Sequence, residues 1–263
     1  MKIVLFVNDS YFAYLLTKEV FREYQGEISQ VVFSSKIKHS PKKILNIFSR
    51  ADFHYFVYRS AVAIISIIRG LSGSGTVGSL VKQKKVPSII SSDINKDMVR
   101  IFTQEQYDLG IAINFDQIIG KKIIDLFRIA IINVHAAKLP LDKGISPLLW
   151  AFGRGDKEIW TTIYKIDSGI DSGPVYKQFK IDLSCNDTAF SAYEKIAIEG
   201  GRQLSATVKE IIAFGVVPKP QIKNNNGSYW SWPNKELYRM MRKNNRTYIG
   251  LNDIFRFLFN KNV

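Results

Sequence analysis

Cysteine is nearly absent from this sequence, and its scarcity excludes several kinds of structure. The 263 residues include one cysteine, Cys185, so the chain cannot form an internal disulfide and offers no cysteine cluster for zinc or an iron–sulfur centre. A chain without disulfides is typical of a reducing compartment. We therefore expect a cytoplasmic protein, and we predict no metal site.

Long hydrophobic runs are missing as well. The most apolar stretch, residues 61–68, lies between Arg59 and Arg69 and is far shorter than the ~20 residues that cross a bilayer. From this pattern we expect no contact with a membrane.

Acidic residues are clearly outnumbered by basic ones. The chain has 37 Lys and Arg against 23 Asp and Glu, which gives a net charge of +14. The basic excess is concentrated in residues 36–85 and 216–263. Such clusters suit an anionic partner, for example a diphosphate or a nucleic acid, and they suit a solvated surface equally well. Composition leaves both interpretations open.

Short apolar runs alternate with helically spaced segments over most of the chain. The predicted strands are Lys2–Val7, Gln30–Phe33, Pro87–Ile90, Leu109–Asn114, Ile129–Val134, Thr161–Ile166 and Val175–Ile181, and the predicted helices span 12–25, 96–106, 117–127, 147–152 and 189–214. This alternation predicts an α/β fold, a Rossmann-like, mainly parallel sheet with helices on both faces. Residues 36–58 are expected to form a loop, and residues 61–68 fit either a strand or a buried helix.

The composition changes after Pro218-Lys-Pro220, where an aromatic and basic tail begins. We therefore predict a Rossmann-like main domain over residues 1–215 and a small C-terminal subdomain over residues 216–263. In an open parallel sheet, ligands bind at the carboxyl ends of the strands, so the residues that follow the strands are the candidates for a site.

Asn133 and His135 follow one of the buried strands. Because residues two apart in a strand face the same way, both side chains can point into one crevice. A glycine-punctuated loop, residues 167–174, supplies the carboxylate of Asp171. An amide, an imidazole and a carboxylate suit acyl transfer to nitrogen, where the amide and imidazole stabilise an oxyanion and the carboxylate orients the imidazole. A lone histidine at a strand end is more often a structural hydrogen-bonding residue.

The surrounding pattern strengthens the catalytic interpretation. Asn133-x-His135 is followed in order by Leu-Pro, Gly-x-x-Pro-x-x-Trp150, Gly155-Asp156 and Ile170-Asp-x-Gly-Pro174. Over about residues 109–180 this order resembles the formyltransferase family that uses N10-formyltetrahydrofolate. The resemblance implies a Rossmann-like domain, a folate cofactor, and direct attack of a substrate amine on the formyl carbon. It also implies that Asn133, His135 and Asp171 are the catalytic residues.

The same resemblance implies where the folate lies. The predicted contacts are the segment after the preceding strand and the aspartate loop, namely Gln117, Ile118, Ile119, Asp167 and Ser168. Three positions depart from the usual pattern: Lys143 replaces an Arg, Trp160 stands where glycine is usual, and Tyr164 replaces a frequent His. We expect Trp160 to reshape the wall of the crevice.

The N-terminal insertion and the tail Tyr229-Trp-Ser-Trp232-Pro233 resemble the sugar N-formyltransferases. This resemblance implies a nucleotide-linked amino sugar as acceptor, of the dTDP-4-amino-4,6-dideoxyglucose type used in O-antigen and lipopolysaccharide synthesis. The predicted substrate contacts are Ser10, Lys143 and Trp232. It also implies a homodimer formed through the C-terminal part, where Phe255, Phe257, Leu258 and Phe259 suit an interface.

Two other functions remain open at this stage. Methionyl-tRNA as acceptor is favoured by the positive charge but disfavoured by the 43 residues after Pro220, too few for the C-terminal barrel of the tRNA enzymes. A non-catalytic RNA-binding module would explain the charge but not the three catalytic residue types, so we do not expect a nucleic-acid partner. Gly73-x-Gly75-x-x-Gly78 matches a dinucleotide fingerprint, although a phosphate-binding turn or a plain loop fits it too.

Overall fold

The computed structural model describes residues 1–35, 52–73, 75–222 and 227–259, with side chains as far as Phe257. Its strands are β1 (Ile3–Val7), β2 (Ile28–Ser34), β3 (Ser88–Ser91), β4 (Tyr107–Ile113), β5 (Phe127–His135), β6 (Lys143–Gly144), β7 (Glu158–Lys165), β8 (Val175–Asp182) and β9 (Tyr229–Trp230). Its helices are α1 (Tyr11–Tyr24), α2 (Phe53–Leu71), α3 (Val77–Lys84), α4 (Ile94–Asp97), α5 (Val99–Glu105), α6 (Lys121–Ile124), α7 (Pro147–Arg154), α8 (Ala189–Phe214), α9 (Lys235–Lys243) and α10 (Leu251–Phe259).

The main sheet has the strand order β3-β2-β1-β4-β5-β7-β8. The neighbours from β3 to β5 are all parallel, whereas β7 is antiparallel to both β5 and β8. The strand order reverses between β1 and β4, and the crevice outside the carboxyl ends at such a point is where ligands bind in this type of fold. β5 lies next to β4, so Asn133 and His135 open onto this edge.

Alternating residues of the central strands separate two hydrophobic layers. In β1, Leu5 and Val7 pack with α1, α3 and α8, whereas Val4 and Phe6 pack with α4, α5 and α6 on the opposite face. A strand that is buried on both faces has a continuous apolar run in its sequence, because the side chains on each face pack against helices. The predicted α/β fold, a mainly parallel sheet with helices on both faces, is confirmed.

The structure differs from the sequence prediction over the region before the first glycine turn. Residues 53–58, predicted as part of a loop, begin the long helix α2, and the ambiguous stretch 61–68 continues it. Asp52 starts the helix because its carboxylate accepts hydrogen bonds from the His54 and Tyr55 amides at 2.8 and 3.3 Å. The remainder of that predicted loop, 36–51, lies outside the described residues.

Two other predicted helices are shorter or divided. The helix predicted over 96–106 consists of α4 and α5, and of the helix predicted over 117–127 only the single turn α6 forms. Within the described ranges, no helix is both long and apolar enough to span a membrane.

The glycine turn before α3 is closed by the chain's own side chains. Thr76 caps α3 by accepting from the Ser79 amide at 3.1 Å, and the Asp9 carboxylate accepts from the Gly78 amide at 3.1 Å. A carboxylate on the first-turn amides occupies the place that a phosphate would need and repels it. The match to the dinucleotide fingerprint is therefore a helix-capping turn.

The C-terminal residues pack onto the main body. Leu237, Met241 and Tyr248 are buried within the hydrophobic cluster that covers one face of the sheet, and β9 pairs with β6 in a small parallel ribbon. This ribbon brings the aromatic tail next to Gly144, just beyond the carboxyl end of β5. The boundary at residue 216 stays a prediction.

Candidate active site

Asn133 and His135 stand at the carboxyl end of β5, facing the antiparallel strand β7. In the register of this pair, Asn133 lies opposite Tyr164 and His135 lies opposite Thr162. Directly opposed residues of antiparallel strands have their side chains on the same face and in contact. The strand pairing therefore fixes which β7 side chains meet the two predicted catalytic residues.

A chain of hydrogen bonds connects Asn133 to Asp171 through Tyr164. The Asn133 Nδ2 donates to the Tyr164 hydroxyl at 2.9 Å, and this hydroxyl donates to the Asp171 Oδ1 at 2.8 Å. Tyr164 is 3% exposed. Burial, reinforced by the nearby charge of Asp171, holds the pKa of the phenol well above its usual value, so the phenol keeps its proton and acts as a donor.

His135 is buried, and its Nε2 lies close to two acceptors. The backbone oxygen of Asp142 is 3.2 Å from this nitrogen, and the Asp171 Oδ2 is 3.6 Å from it. With acceptors on this side only, the geometry assigns a proton to Nε2. Among the described residues no protein group bonds Nδ1, so that nitrogen is left for an incoming ligand.

Asp171 is held in place by the backbone around it. Its Oδ2 accepts from the Gly144 amide at 2.9 Å, and its own φ of 48° lies in the left-handed region, which aspartate tolerates better than most residues. Gly144 has a φ of 97°, and a Cβ there would overlap the carbonyl oxygen of Trp230. Left-handed residues on both sides of this contact indicate a turn shaped by the surrounding structure.

Behind His135, Asp142 anchors the loop whose carbonyl contacts the imidazole. Arg154 pairs with the Asp142 carboxylate through two hydrogen bonds of 2.8 Å, and the Trp230 indole donates to the same carboxylate. These hydrogen bonds raise the pKa of Arg154 above its usual value. Trp230 also stacks on Trp150, with ring centroids 4.4 Å apart. The tail thus fixes the turn that positions His135.

The residues predicted to hold the folate lie in two segments, and in each segment some side chains are bonded within the protein while others are exposed. The Gln117 amide is used inside the protein, since it accepts from the Ile94 amide at 2.8 Å and donates to Ser34 and to the Ser91 carbonyl. Ile118 is 68% exposed, whereas Ile119 is buried.

In the second segment, Asp167 closes its own loop. Its Oδ1 accepts from the Gly169 amide at 3.0 Å and from the Ser172 hydroxyl at 2.7 Å, while Ser168 is exposed. The side chains of Gln117, Ile119 and Asp167 therefore shape these segments, and exposed surface is offered at Ile118 and Ser168.

The three predicted substrate contacts are not gathered at one point. Ser10 caps α1 by accepting from the Ala13 amide at 3.3 Å and donates to Asn8 at 2.9 Å. Lys143 precedes Gly144 in the ribbon, next to Asp171. Trp232 is half-buried and packs against the main core. Of the three, Lys143 is the one adjoining the catalytic residues through the backbone.

Trp160 lies two residues before Thr162 on β7, along the strand from Tyr164. Its ring is covered by the Lys138 ammonium at 4.1 Å, and its indole donates to Glu158 at 2.9 Å. It lines a cavity of about 350 Å³ together with Asp142 and Arg154, on the side of the Asp142 turn that carries the carboxylate. Asn133, His135 and Asp171 are not among the described residues that line this cavity, so the effect of Trp160 on the catalytic crevice stays a prediction.

Sequence reasoning did not identify Tyr164, Asp142 or Trp230 as parts of the site. Tyr164 was noted as a departure from the pattern, but its partners depend on the register between β5 and β7. Asp142 and Trp230 are 88 positions apart, and no local signal connects them. The described residues contain no group of three or more His, Cys, Asp or Glu placed to hold a metal ion.

Comparisons with known proteins show which family the chain resembles. A model of the formyl transferase family matches residues 72–208, just over half of the chain. The methionyl-tRNA formyltransferase of Halorhodospira halophila is 29% identical over 144 residues, which cover 52% of this chain and 46% of that protein. The chain spans about half the length, or less, of the curated relatives that it matches.

Solved structures share the fold. The sugar 3N-formyltransferase WlaRD, crystallised with dTDP and 5-N-formyl-tetrahydrofolate, superposes with a TM-score of 0.60 at 20% identity, covering 88% of this chain and 69% of that one. A sugar N-formyltransferase from a Shewanella species has a TM-score of 0.56 at 17% identity, with 98% of this chain and 87% of that chain covered. Together with the family match over residues 72–208, these findings show that the chain belongs to the formyl transferase family.

Proposed function

We propose that this protein transfers a formyl group from N10-formyltetrahydrofolate to the amine of a nucleotide-linked sugar. The observation that carries the proposal is the convergence of Asn133, His135 and Asp171 at the carboxyl end of β5, with Tyr164 joining the first to the third. Amide and imidazole N–H groups are donors for a carbonyl oxygen that gains negative charge, and a carboxylate beside the imidazole orients it.

The two predicted folate segments suit a flat, partly apolar ligand. Ile118 and Ile170 are 68% and 50% exposed, and each lies on one of these segments. Exposed apolar side chains at the rim of a polar site are typical of surfaces that cover an aromatic ring. The folate would supply an activated formyl group, with its ring held against backbone and these side chains.

The chain's own residues supply orientation and charge stabilisation. Asn133 and the ring of His135 hold the formyl oxygen, and Asp171 balances the positive charge of the imidazolium that donates from Nδ1. The amine attacks the formyl carbon and forms the new C–N bond, while the bond to the folate nitrogen breaks. The proton lost by the amine ends on that nitrogen, with Asp171 the nearest carboxylate to assist its removal.

A nucleotide-linked amino sugar is the acceptor class that we favour. The C-terminal ribbon brings Tyr229, 55% exposed, beside Gly144, and an exposed ring there can stack on a base. Lys143 in the same ribbon, together with the basic excess of the chain, offers counter-charge for a diphosphate. The similarity to the Shewanella sugar N-formyltransferase, which covers 98% of this chain, supports this choice, as does the similarity to a sugar 3N-formyltransferase crystallised with dTDP. The O-antigen type of 4-amino sugar is part of the proposal.

Methionyl-tRNA is the second candidate acceptor. The sequence relatives are methionyl-tRNA formyltransferases, and the net charge of +14 suits a polyanion. This chain spans 46% of the first of these relatives, whereas its similarity to the Shewanella sugar N-formyltransferase covers 87% of that protein, so we rank the sugar first.

The acceptor can be tested directly. We expect 5-formyl-tetrahydrofolate and dTDP each to raise the melting temperature, because ligands that bind only the folded state stabilise it. With N10-formyltetrahydrofolate, the protein should formylate a dTDP-linked amino sugar and leave methionyl-tRNA unchanged, as measured by mass spectrometry of the products. Formylation of methionyl-tRNA alone would replace the proposed substrate, and no folate-dependent shift would contradict the proposed function.

We also propose that the protein forms a homodimer. The outward face of α2 carries Phe53, Val57, Ile64, Ile67, Ile68 and Leu71, and α10 adds Leu251, Ile254 and Phe255, all between 39% and 84% exposed. Exposed apolar side chains concentrated on one face are typical of a surface that another protein covers. Phe257, predicted to lie in the interface, is instead buried against Tyr11 and Arg69.

The spacing of the α2 residues favours a second copy as the occupant. Positions 53, 57, 64, 67 and 71 follow the three- and four-residue steps of a helix–helix seam, and all five residues are apolar. An identical helix packed across a two-fold axis would cover the face of both copies.

Replacing one residue of this face by a charge tests the dimer. We expect Ile67→Asp to convert a dimer into a monomer in sedimentation velocity, because the carboxylate would be desolvated between the helices. Ser72→Asp, at the exposed end of the same helix, is the matched control and should remain dimeric. A wild-type monomer at micromolar concentration, or flotation of the wild type with anionic vesicles, would contradict a second copy as the occupant.

A further inference from the structure

Tyr164 connects two of the proposed catalytic residues, and no part of the proposed reaction yet uses it. Its hydroxyl lies between the Asn133 amide at 2.9 Å and the Asp171 carboxylate at 2.8 Å. Its ring packs edge-on against His135, with centroids 6.4 Å apart and planes at 87°. One buried side chain thus contacts all three members of the site.

The direction of the hydrogen bonds follows from the chemistry of the groups. An ionised carboxylate can only accept, so the phenol O–H donates to Asp171. The phenol oxygen is then left as an acceptor toward Asn133. The amide must therefore present its NH₂ group to Tyr164 and not its oxygen. Since Nδ2 carries two hydrogens, its second N–H remains available for a ligand.

We propose that Tyr164 is a positioning residue that fixes the Asn133 amide by relaying the charge of Asp171, so that Asn133 offers a donor to the formyl oxygen. This inference rests on the proposed function. The charge on Asp171 determines the orientation of the phenol, and the phenol determines the orientation of the amide. A phenylalanine at position 164 would not fix the orientation of the Asn133 amide. Without a hydrogen bond to the phenol, the carboxamide can rotate by 180° and present its oxygen to the ligand.

The side chain that links Asn133 to Asp171 matters because a tyrosine at this position can form its two hydrogen bonds in one direction only. An imidazole at this position can donate or accept, depending on its tautomer, and it changes charge near neutral pH. The pKa of the buried Tyr164 phenol lies well above its usual value, since burial disfavours the phenolate. The other titratable groups near the hydrogen bonds between Asn133, Tyr164 and Asp171 are His135 from β5 and Asp167 from the loop of Asp171. The relay itself adds no group that titrates near neutral pH.

Substitution of Tyr164 should separate catalysis from binding. We expect Tyr164→Phe to lower kcat roughly 10- to 100-fold, less than the 10²–10³ for losing an oxyanion donor, because the donor remains but is no longer fixed. KM values for the folate and the sugar should stay within about threefold of wild type.

A matched control is available on the neighbouring strand. Tyr176 on β8 is also buried, at 1% exposed, but packs in the hydrophobic layer on the opposite face of the sheet. Tyr176→Phe removes the same hydroxyl without touching the site, so its kcat and pH profile should match the wild type. Tyr164→His should restore part of kcat and add an ionisation near neutral pH.

A second measurement tests the hydrogen bond between Tyr164 and Asn133 without requiring catalytic turnover. With Asn-selective ¹⁵N labelling, the Asn133 carboxamide is assigned by its loss in Asn133→Asp. We expect one of its protons to exchange slowly in the wild type and rapidly in Tyr164→Phe. If the wild type formylates no acceptor but shows this protection, the proposed function fails and the relay stands. Wild-type kcat in Tyr164→Phe, or an unprotected amide in the wild type, would overturn the relay. If Tyr164→Phe does not fold, Tyr164→His decides by the same readouts.

Discussion

We expect His135→Asn to lower the turnover of formyl transfer roughly 10²- to 10³-fold, the range observed for loss of an oxyanion donor. The imidazole has Nε2 against the Asp142 carbonyl and Asp171, which leaves Nδ1 for the formyl oxygen. Asparagine is shorter and cannot carry a positive charge, so the donor is displaced and the charge compensation by Asp171 is lost. The measurement is kcat with N10-formyltetrahydrofolate and the preferred amine acceptor, at saturation in both.

The matched control for this variant is His54→Asn. His54 lies at the start of α2, where it stacks on Tyr238 with centroids 3.8 Å apart and contacts Asp52 at 3.2 Å. It is about half exposed and belongs to neither the site nor the folate segments. Its replacement should leave kcat unchanged. Near-normal turnover in His135→Asn, with an intact fold by circular dichroism, would remove His135 from the proposed reaction.

The strand that carries Asn133 and His135 could be predicted from the sequence because it is buried on both faces of the sheet. Residues 129–134 are a continuous apolar run, and a run of that kind is a central parallel strand or a buried helix. Its length and the polar residues at its end favoured a strand, and β5 ends at His135. The pairing of two side chains on one face then followed from the strand period alone.

The helix α2 was not predicted because its outward face is apolar. An amphipathic helix is recognised by a polar face, whereas Ile64, Ile67 and Ile68 lie on the exposed side of α2. The period of the buried side, with Tyr55, Tyr58, Val62 and Ile65, is hidden within an almost uniformly apolar segment. An outward face that is as apolar as the buried face leaves no contrast in the sequence from which the helix could be recognised.

The support around the site could not be predicted for a different reason. Tyr164 acts through the register of β5 with β7, and Asp142 acts through Arg154 and a tryptophan from the distant tail. These contacts depend on tertiary packing between distant segments, which local sequence patterns do not predict. By contrast, the resemblance to the formyltransferase family implied that Asp171 lies beside His135, because its Ile170-Asp-x-Gly-Pro174 motif follows Asn133-x-His135 in the order of that family.

The substitution Asp171→Asn should cost even more activity than loss of His135, on the order of 10³-fold or greater in kcat. The Asp171 carboxylate accepts from the Gly144 amide at 2.9 Å and from the Tyr164 hydroxyl at 2.8 Å. An asparagine has one oxygen and one NH₂ group, so either orientation points an N–H at one of these donors. The charge beside Nε2 of His135 is removed at the same time. Both the proton on the imidazole and the orientation of the Asn133 amide are then unsupported.

Stability should change far less than activity. Leaving one donor without its acceptor in this half-buried site costs about 1–3 kcal/mol of unfolding free energy, which urea denaturation would detect. Asp182→Asn, an 82% exposed carboxylate at the end of β8, is the matched control and should alter neither kcat nor stability. A variant Asp171→Asn that keeps more than about a tenth of wild-type kcat would mean that the imidazole is oriented by the Asp142 carbonyl alone. The carboxylate would then serve the loop and not the reaction.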